Sequence, residues 1–251
     1  MSINNLFVNL PFLKRIIPSL RRRIRVFFNK RIFWTKINGI FYLIDIQDKL
    51  EREFYFKKKY EENNFNFISN NKFFEKPFIF VDIGSNLGIY SLSILKNFKN
   101  CNKVLAFEPI LETYNKFKLN IKKNLREKQI EALNIALSNT NETKKMKSIL
   151  KNNIMQSARY EISNNGNVDV ISKVFDDLYH YNNNNIFIKC DAEGHEYEVM
   201  QGMQKNLKNN KCLIQIEILD RNFSKLNLLL NRLDYKLIKK GLDKDSYFYV
   251  K

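Results

Sequence analysis

Apolar and polar positions alternate along most of the chain in blocks that are typical of strands and helices. Short apolar runs predict five strands, at 78–83, 103–107, 132–137, 186–191 and 212–218. Segments with helical spacing lie between them, at about 89–99, 110–124, 195–207 and 222–233. This alternation predicts right-handed crossovers and a parallel sheet.

The stretch before the first of these strands has a different pattern. WTKINGIFYLIDI (34–46) is predicted to be a hairpin, with Asn38 and Gly39 as its two-residue turn. The following segment, 47–68, has an apolar pattern that predicts mainly helix. Both elements would precede the parallel sheet.

A polar patch, SNNKFFEKP (69–77), is the best candidate for a boundary. We therefore predict an N-terminal extension over 1–75 and a main domain over 76–251. Segment 143–175 interrupts the alternation and is predicted to add β structure. The chain is predicted to close with an antiparallel pair formed by YKLIKKG and SYFYVK.

The charge of the chain favours an anionic partner. Its 43 Lys and Arg against 26 Asp and Glu give a formal net charge of +17, which favours nucleic acid, an acidic membrane surface or an anionic glycan. Segment 13–31 is basic, contains no acid, and has apolar residues near helical spacing from Pro18 to about Asn29. Such a basic amphipathic helix can lie on anionic lipid. The favoured alternative is a helix packed on the domain with its basic face solvated.

Other features bound the location of the protein. No stretch is long enough to span a bilayer, and no secretory signal is visible. Three widely spaced cysteines fit neither a disulfide framework nor paired metal motifs, and they indicate a reducing compartment. We predict a cytoplasmic protein with peripheral contact at the inner face of the membrane.

The turn after the first strand has the pattern D-x-G-x-N-x-G. Its members are Asp82, Gly84, Asn86 and Gly88. A dinucleotide fingerprint needs a glycine where Asn86 stands, and Asp82 would place a negative charge beside a pyrophosphate. No Gly-Lys-Ser/Thr follows, so the turn is not a P-loop. The pattern suits S-adenosylmethionine, which has no phosphate and carries its own positive charge.

The next two strand ends support this cofactor. Glu108 ends the second strand, 24 residues after Gly84, where an acid can accept two hydrogen bonds from ribose hydroxyls. Leu137, Ser138 and Asn139 stand at the end of the third strand and are predicted to flank an adenine. In an open α/β sheet these carboxyl ends line one crevice.

Four stretches together resemble the FkbM family of class I methyltransferases. They are VDIGSNLGIYSL, AFEP, LNIALSN and IKCDAEGHEYEVMQGM (188–203), within a resemblance that covers roughly 39–250. The resemblance implies an α/β, Rossmann-like, seven-stranded and mostly parallel sheet of order 3-2-1-4-5-7-6. It also implies S-adenosylmethionine as cofactor and O-methylation, often of sugar hydroxyls. Cys190 and Ala192 replace more usual aliphatic residues, and Asp176 is the acid in register with the family's hydrophobic-Asp pair.

The cofactor-binding residues follow from these motifs. We predict that they are Asp82, Gly84, Ser85, Asn86, Gly88, Glu108, Pro109, Ser138 and Asp191. Tyr60 and Glu61 match the family's Tyr-Glu piece and are predicted to reach the methionine end of the cofactor.

The stretch from Asp191 to Glu196 is dense in ionisable groups and is predicted to be catalytic. Asp191 ends a strand beside the first one and should face the cofactor methyl. His195, at a helix start, should be neutral and can act as a base at the attacking hydroxyl. Glu193 can favour the sulfonium electrostatically. Lys189 shares a face with Asp191 and is either a substrate-orienting cation or its buried partner.

Two further interpretations concern metal binding and structural roles. Asp191 with Glu217 can bind a divalent metal, so metal is left open beside S-adenosylmethionine. Glu196 is interpreted as a helix-capping acid, and His180 as a structural residue.

The function predicted from these features is O-methylation of a sugar hydroxyl in a glycan or glycolipid. One alternative is an RNA methyltransferase, encouraged by the net charge of +17. Nucleic acid is the less favoured partner, because interleaved aromatic-basic motifs are missing from the sequence. Another alternative is a non-catalytic protein that keeps the fold. The oligomeric state is left open.

Overall fold

A computed structural model describes residues 31–148, 160–163, 165–218, 220–243 and 246–251. The predicted basic helix within 13–31 lies outside the described residues except for Arg31. The first described elements are β1 (Ile32–Ile37) and β2 (Ile40–Asp45), which pair in antiparallel fashion. Asn38 and Gly39 join them with φ values of 49° and 81°, as a two-residue hairpin turn requires.

Two helices follow where one helical stretch was predicted. They are α1 (Lys49–Lys57) and α2 (Glu62–Ser69), with a 3-10 turn at Lys72–Glu75. The Asp48 side chain caps α1 by accepting from the backbone N–H of Glu51. The helix ends because Lys58 adopts a left-handed conformation with φ of 55°.

The remaining elements alternate between strand and helix, apart from a run of strands over 130–174 and the pair that closes the chain. In chain order they are β3 (Phe78–Ile83), α3 (Ile89–Asn97), β4 (Cys101–Phe107), α4 (Leu111–Lys123), β5 (Ile130–Leu133), β6 (Ala136–Ser138), β7 (Glu142–Ser148), β8 (Tyr160–Ile162), β9 (Val168–Val174), α5 (Phe175–Leu178), β10 (Asn185–Cys190), α6 (Glu196–Gln201), α7 (Gln204–Asn209), β11 (Lys211–Glu217), α8 (Asp220–Arg232), β12 (Lys236–Lys240) and β13 (Ser246–Val250). Within the described residues, no helix combines the length and apolar character needed to cross a bilayer.

A seven-stranded sheet has the order β12-β13-β11-β10-β3-β4-β5. Counted along the chain and read from β5, this is 3-2-1-4-5-7-6. Neighbouring strands pair in parallel in the sheet order β5, β4, β3, β10, β11. Strand β13 pairs in antiparallel fashion with β11 and β12. The predicted mostly parallel α/β fold is therefore confirmed, together with the antiparallel pair that closes the chain.

A second sheet has the order β6-β9-β7-β8, which confirms the β structure predicted around 143–175. The prediction of one strand at 132–137 was wrong, because that segment divides between the two sheets. The Asn134 side chain donates to the carbonyls of Glu108 and Pro109, at 2.8 and 2.9 Å. These bonds turn the chain between β5 and β6.

The predicted helix at 195–207 is also two helices. The break falls at Gly202, where an added Cβ would lie 2.1 Å from the carbonyl oxygen of Ser138. The Asp176 carboxylate then accepts from the backbone N–H groups of Lys205 and Asn206, at 2.7 and 3.0 Å. Asp176 is thus a cap that starts α7.

The hairpin shares a core with the central sheet. One buried cluster contains Ile37 and Tyr42 of the hairpin together with Phe80 of β3. Asn120 of α4 and Asn124, which caps the end of α4, extend the hydrogen bonding of β2: the N–H of Leu43 donates to Asn120 at 2.8 Å, and that of Phe41 donates to Asn124 at 2.9 Å. The division between 1–75 and 76–251 stays a prediction.

Candidate active site

The carboxyl ends of β3, β4 and β10 border a cavity of ≈ 410 Å³, a size that suits a cofactor or small ligand. It lies at the edge of a parallel sheet where ligands of open α/β folds bind. The predicted site residues that line it include Gly84, Asn86, Glu108, Pro109, Asp191, Glu193 and His195. The structure therefore brings the cofactor and catalytic candidates to one cavity.

The turn after β3 is held against the neighbouring strand ends. Gly84 has a φ of 73°, and an added Cβ would lie 2.0 Å from the backbone oxygen of Asp191. The N–H groups of Gly84 and Ser85 both donate to the carbonyl of Phe107 at 3.0 Å. Only glycine fits where the turn passes the loop after β10 this closely.

Several predicted cofactor residues lie behind the turn. Asp82 is fully buried and does not line the cavity. Its Oδ2 accepts from the N–H and the hydroxyl of Ser91, at 3.1 and 2.6 Å. Burial raises the pKa of Asp82 to about 6 against the opposing effect of Lys189. Asp82 therefore holds β3 to α3 and shapes the turn from below.

Ser85 and Gly88 also lie outside the cavity lining. Gly88 packs on Phe117, because an added Cβ there would lie 1.9 Å from the ring. The Ser85 hydroxyl is buried and has no hydrogen-bond partner among the described residues. Both positions thus support the turn rather than form its surface.

Glu108 has the geometry of a ribose-binding acid. Its two carboxylate oxygens accept from the backbone N–H groups of Asn86 and Ile110, each at 2.9 Å. Burial raises its pKa to about 7. Each oxygen of a carboxylate can accept more than one hydrogen bond, so Glu108 can still accept from a pair of vicinal hydroxyls in the cavity.

Apolar residues cover the next part of the wall. They are Ile110, Ile135, Ala136 and Leu137. Leu137, Ser138 and Asn139 were predicted to flank an adenine, and that role stays a prediction. Asn139 is exposed and does not line the cavity. Leu137 lines the cavity, whereas Ser138 is buried behind it.

Lys189 is buried beneath Asp191. Its side chain is 5% exposed, and its Nζ lies 3.4 Å from Oδ2 of Asp191 and 5.2 Å from the ring centroid of Tyr90. Burial lowers the pKa of Lys189, but the surrounding carboxylates, Asp191 first, raise it more, so the net shift is upward. Of the two roles predicted for Lys189, this geometry favours the buried partner of Asp191.

A tight loop connects β10 to α6. Glu193 and Gly194 both have positive φ, at 48° and 102°. The Oε1 of Glu196 accepts from the N–H groups of Ala192 and Gly194, at 3.1 and 2.9 Å. Glu196 is 1% exposed and acts as a structural clamp for the loop.

His195 has protein groups near both ring nitrogens. Its Nε2 lies 2.9 Å from the Ser138 hydroxyl, and its Nδ1 lies 3.5 Å from the Glu198 carboxylate. Burial lowers its pKa, against the effect of Glu198, so the ring is neutral at neutral pH. To act as a base at a bound hydroxyl, His195 would have to exchange one of these contacts.

The described residues contain no group of three His, Cys, Asp or Glu that could hold a metal ion. The predicted metal ligand Glu217 does not line the cavity. The metal prediction thus gains no support from the geometry.

Several lining residues had no clear signal in the sequence. Tyr60 and Glu61 line the cavity, and their contact with the methionine end of the cofactor stays a prediction. The side walls were missed, since they come from α1 and from the second sheet. The missed residues are Lys49, Leu50, Glu53, Met146, Tyr160 and Ile162. The exposed His180 is not part of the lining.

The mostly parallel sheet and the cavity at its carboxyl edge define an α/β protein of the Rossmann-like class. The model of the methyltransferase FkbM domain matches residues 82–237, more than half of the chain. The chain therefore belongs to the FkbM methyltransferase family. No curated protein matches the chain significantly.

Solved structures with a similar fold have low sequence identity. The methyltransferase FkbM from Methylobacillus flagellatus KT has 17% identity and a TM-score of 0.49, with 70% of this chain and 44% of that chain covered. The chain thus spans less than half of that protein. TYW2 from M. jannaschii, solved with AdoMet, has 12% identity and a TM-score of 0.43, covering 88% and 84%. The tRNA methyltransferase TrmK from B. subtilis has 12% identity and a TM-score of 0.38, covering 68% and 58%.

Proposed function

We propose that the protein is an S-adenosylmethionine-dependent O-methyltransferase that acts on a sugar hydroxyl of a glycan or glycolipid. The observation that carries this proposal is the shared cavity. Glu108 and the Gly84 turn line it on one side, and Asp191 lines it at the end of the adjacent strand. A cofactor-binding surface and a proton acceptor therefore meet in one space.

The residues of the cavity fit S-adenosylmethionine. Glu108 would accept from the ribose hydroxyls, Leu137 and Ile135 would cover the adenine, and Gly84 would lie along the amino-acid part. No phosphate-binding group lies in the turn, in keeping with a phosphate-free ligand. When bound, this cofactor supplies a methyl group on a sulfonium, and its transfer to a hydroxyl releases one proton.

Asp191 is the group to which we assign that proton. Its side chain is 15% exposed, lines the cavity, and is oriented by the buried ammonium of Lys189. An alcohol is a weak acid, so a carboxylate at the attacking oxygen assists its loss of the proton. His195 is already engaged by Ser138 and Glu198, and it shapes the wall beside Asp191. Positioning supplies the remaining rate enhancement.

The outer walls support a sugar as acceptor. They combine an aromatic ring, Tyr160, with the polar side chains of Glu53, Lys57 and Asp243. A sugar ring presents apolar C–H faces and several hydroxyls, and such walls can bind both. The family resemblance points to the same class of acceptor.

A labelled-methyl transfer assay tests the proposal directly. The acceptors are fractionated cell glycans, lipids and RNA, each with and without a chelator. We expect incorporation into the glycan or glycolipid fraction, with loss in Asp191→Asn. Isothermal titration with S-adenosylmethionine runs beside it, and no cofactor binding would favour a non-catalytic protein with this fold.

The net charge of +17 is the observation that favours RNA as a second candidate acceptor. Methyl incorporation into RNA alone, together with RNA binding that weakens steeply with salt, would replace the sugar proposal with this one.

A further inference from the structure

The outward face of the hairpin combines apolar side chains with lysines. In β1, Ile32 and Trp34 are 42% and 40% exposed, and Lys36 is exposed on the same face. Phe41 lies directly opposite Lys36 in β2, and Leu43 opposite Trp34. The other side of the hairpin packs into the core, so among the described residues this face points away from the core.

Two lysine ammonium groups lie close to the aromatic rings of this face. The Nζ of Lys123 in α4 lies 5.6 Å from the ring centroids of both Trp34 and Phe41. The Nζ of Lys36 lies 5.0 Å from the Phe41 ring. We call the set Ile32, Trp34, Lys36, Phe41, Leu43 and Lys123 the hairpin face. Asp45, which lies opposite Ile32 in β2, is paired with Arg31 at 3.3 Å.

The chain that leads into the hairpin face is strongly basic. Eight Lys and Arg and no acid lie between 14 and 31, and β1 begins at the next residue. The exposed apolar groups are thus joined directly to the most basic part of the sequence. Such a combination fits a surface that is apolar at depth and anionic outside.

We propose that the hairpin face docks on an anionic lipid bilayer. Trp34 and Ile32 enter the boundary between headgroups and acyl chains, where tryptophan is favoured. Lys36 and Lys123 keep their ammonium groups at the anionic headgroups while their stems lie along the apolar side chains. This interaction is independent of the methyl-transfer proposal.

The positive charge of the hairpin face favours an anionic bilayer over the other partners that could bind there. The chain's own segment 14–31 and a second copy of the face would both bring like charges against Lys36 and Lys123. An RNA base would need the ring face of Trp34 for stacking, and Lys123 already lies near that ring. A bilayer satisfies the lysines and the apolar groups together.

Trp34 is the only tryptophan of the chain, so its fluorescence reports on this face alone. The full chain is mixed with vesicles of phosphatidylcholine, and with vesicles that also contain phosphatidylglycerol. We expect a blue shift with the anionic vesicles and quenching by brominated lipid. Vesicle binding without either change would overturn the proposal, because the basic segment would then bind alone. An emission change caused by RNA or by protein concentration, and not by vesicles, would also overturn it.

Sedimentation with the same vesicles tests the lysines. Neutralising one basic residue near an anionic bilayer lowers partitioning about fivefold, so Lys36→Gln with Lys123→Gln should lower it about 25-fold. Lys236→Gln is the matched control, since β12 is the edge strand farthest from α4 and β5. Equal effects of the double variant and the control, with native circular dichroism in both, would contradict the assignment.

Discussion

The two sides of the cavity are built in different ways. On the cofactor side, the N–H groups of Gly84 and Ser85 donate to the carbonyl of Phe107, and the Glu108 carboxylate accepts from the N–H groups of Asn86 and Ile110. On the acceptor side, Asp191 stands on a loop that Glu196 clamps. The outer walls of that side come from α1 and from β7 and β8.

Only part of the acceptor side lies outside the family match. The cofactor side, Asp191, β7 and β8 lie within the matched range 82–237, whereas α1 precedes it. If the proposed function is correct, side chains of α1 that the family match does not include contribute to the choice of acceptor. Substitutions should accordingly act on one side of the cavity and leave the other intact, except where the sides touch.

The largest effect is expected at the point of contact, Gly84. In Gly84→Ala the new methyl group would lie 2.0 Å from the backbone of Asp191 at a φ of 73°, so both sides should be displaced. We expect loss of roughly 3 kcal/mol of unfolding free energy and of cofactor binding, measured by denaturation and calorimetry.

Gly241→Ala is the control, because Gly241 also has positive φ but no atom of the described residues within 4 Å of the added group. It should cost only about 1 kcal/mol. Equal costs for the two variants would show that Gly84 makes no critical contact.

A change confined to the acceptor side should lower turnover alone. We expect Asp191→Asn to reduce kcat about 10³-fold with the cofactor Kd nearly unchanged. His195→Gln should reduce kcat only about tenfold, because Ser138 and Glu198 already hold the ring. Steady-state kinetics at saturating cofactor compares them. A greater loss in His195→Gln would move the base role to His195.

A change confined to the cofactor side should lower affinity alone. Glu108→Gln removes a charged acceptor, and such hydrogen bonds contribute about 1.5–3 kcal/mol, so the cofactor Kd should rise about 10- to 100-fold. The kcat at saturation should be kept. Glu112→Gln, at an exposed position in the first turn of α4, should leave the Kd as it is. If kcat fell in Glu108→Gln while Kd did not change, the division of the cavity would be incorrect.

The smallest expected effect is the change of unfolding free energy with pH that Glu108 causes when no cofactor is bound. Burial raises the pKa of Glu108 from 4.5 to about 7, so the folded state keeps a proton that the unfolded chain has released. The stability that Glu108 contributes is full below about pH 4.5 and is lost as pH rises through about 7.

Urea unfolding at about pH 5 and about pH 8 measures this difference. From the lower to the higher pH, wild type should lose roughly 2 kcal/mol more than Glu108→Gln. The variant keeps every other titrating group, so subtracting its change in unfolding free energy removes the contribution of those groups. The opposite sign would mean that Glu108 is ionised in the folded protein.

The same contrast explains how much the sequence could predict. The bounds of β3 match the predicted 78–83, because an apolar run there ends in an acid and a glycine turn. The cofactor side follows such local signals. The split at Asn134 depends on carbonyls about 25 positions away, and the contact of Ser138 with His195 joins residues 57 positions apart. No local pattern encodes these.

The local sequence pattern also did not predict the role of Asp82. Its place after an apolar strand indicated a ligand-facing acid, and the structure turns it toward Ser91 instead. The side chain of a strand-end residue can face a ligand or the next helix. Packing on both faces of the sheet decides between them.

The shared core of the hairpin and the central sheet determines which part of the chain has to be kept in a fragment or a fusion protein. The family match begins at Asp82, inside β3, yet Ile37, Tyr42 and Phe54 are buried in one cluster with Phe80. A fragment cut at the edge of the match would expose that apolar surface and free Asn120 and Asn124 from β2. The segment recognised by homology is therefore shorter than the segment that folds, and grafting this enzyme onto another protein would have to carry the hairpin with it.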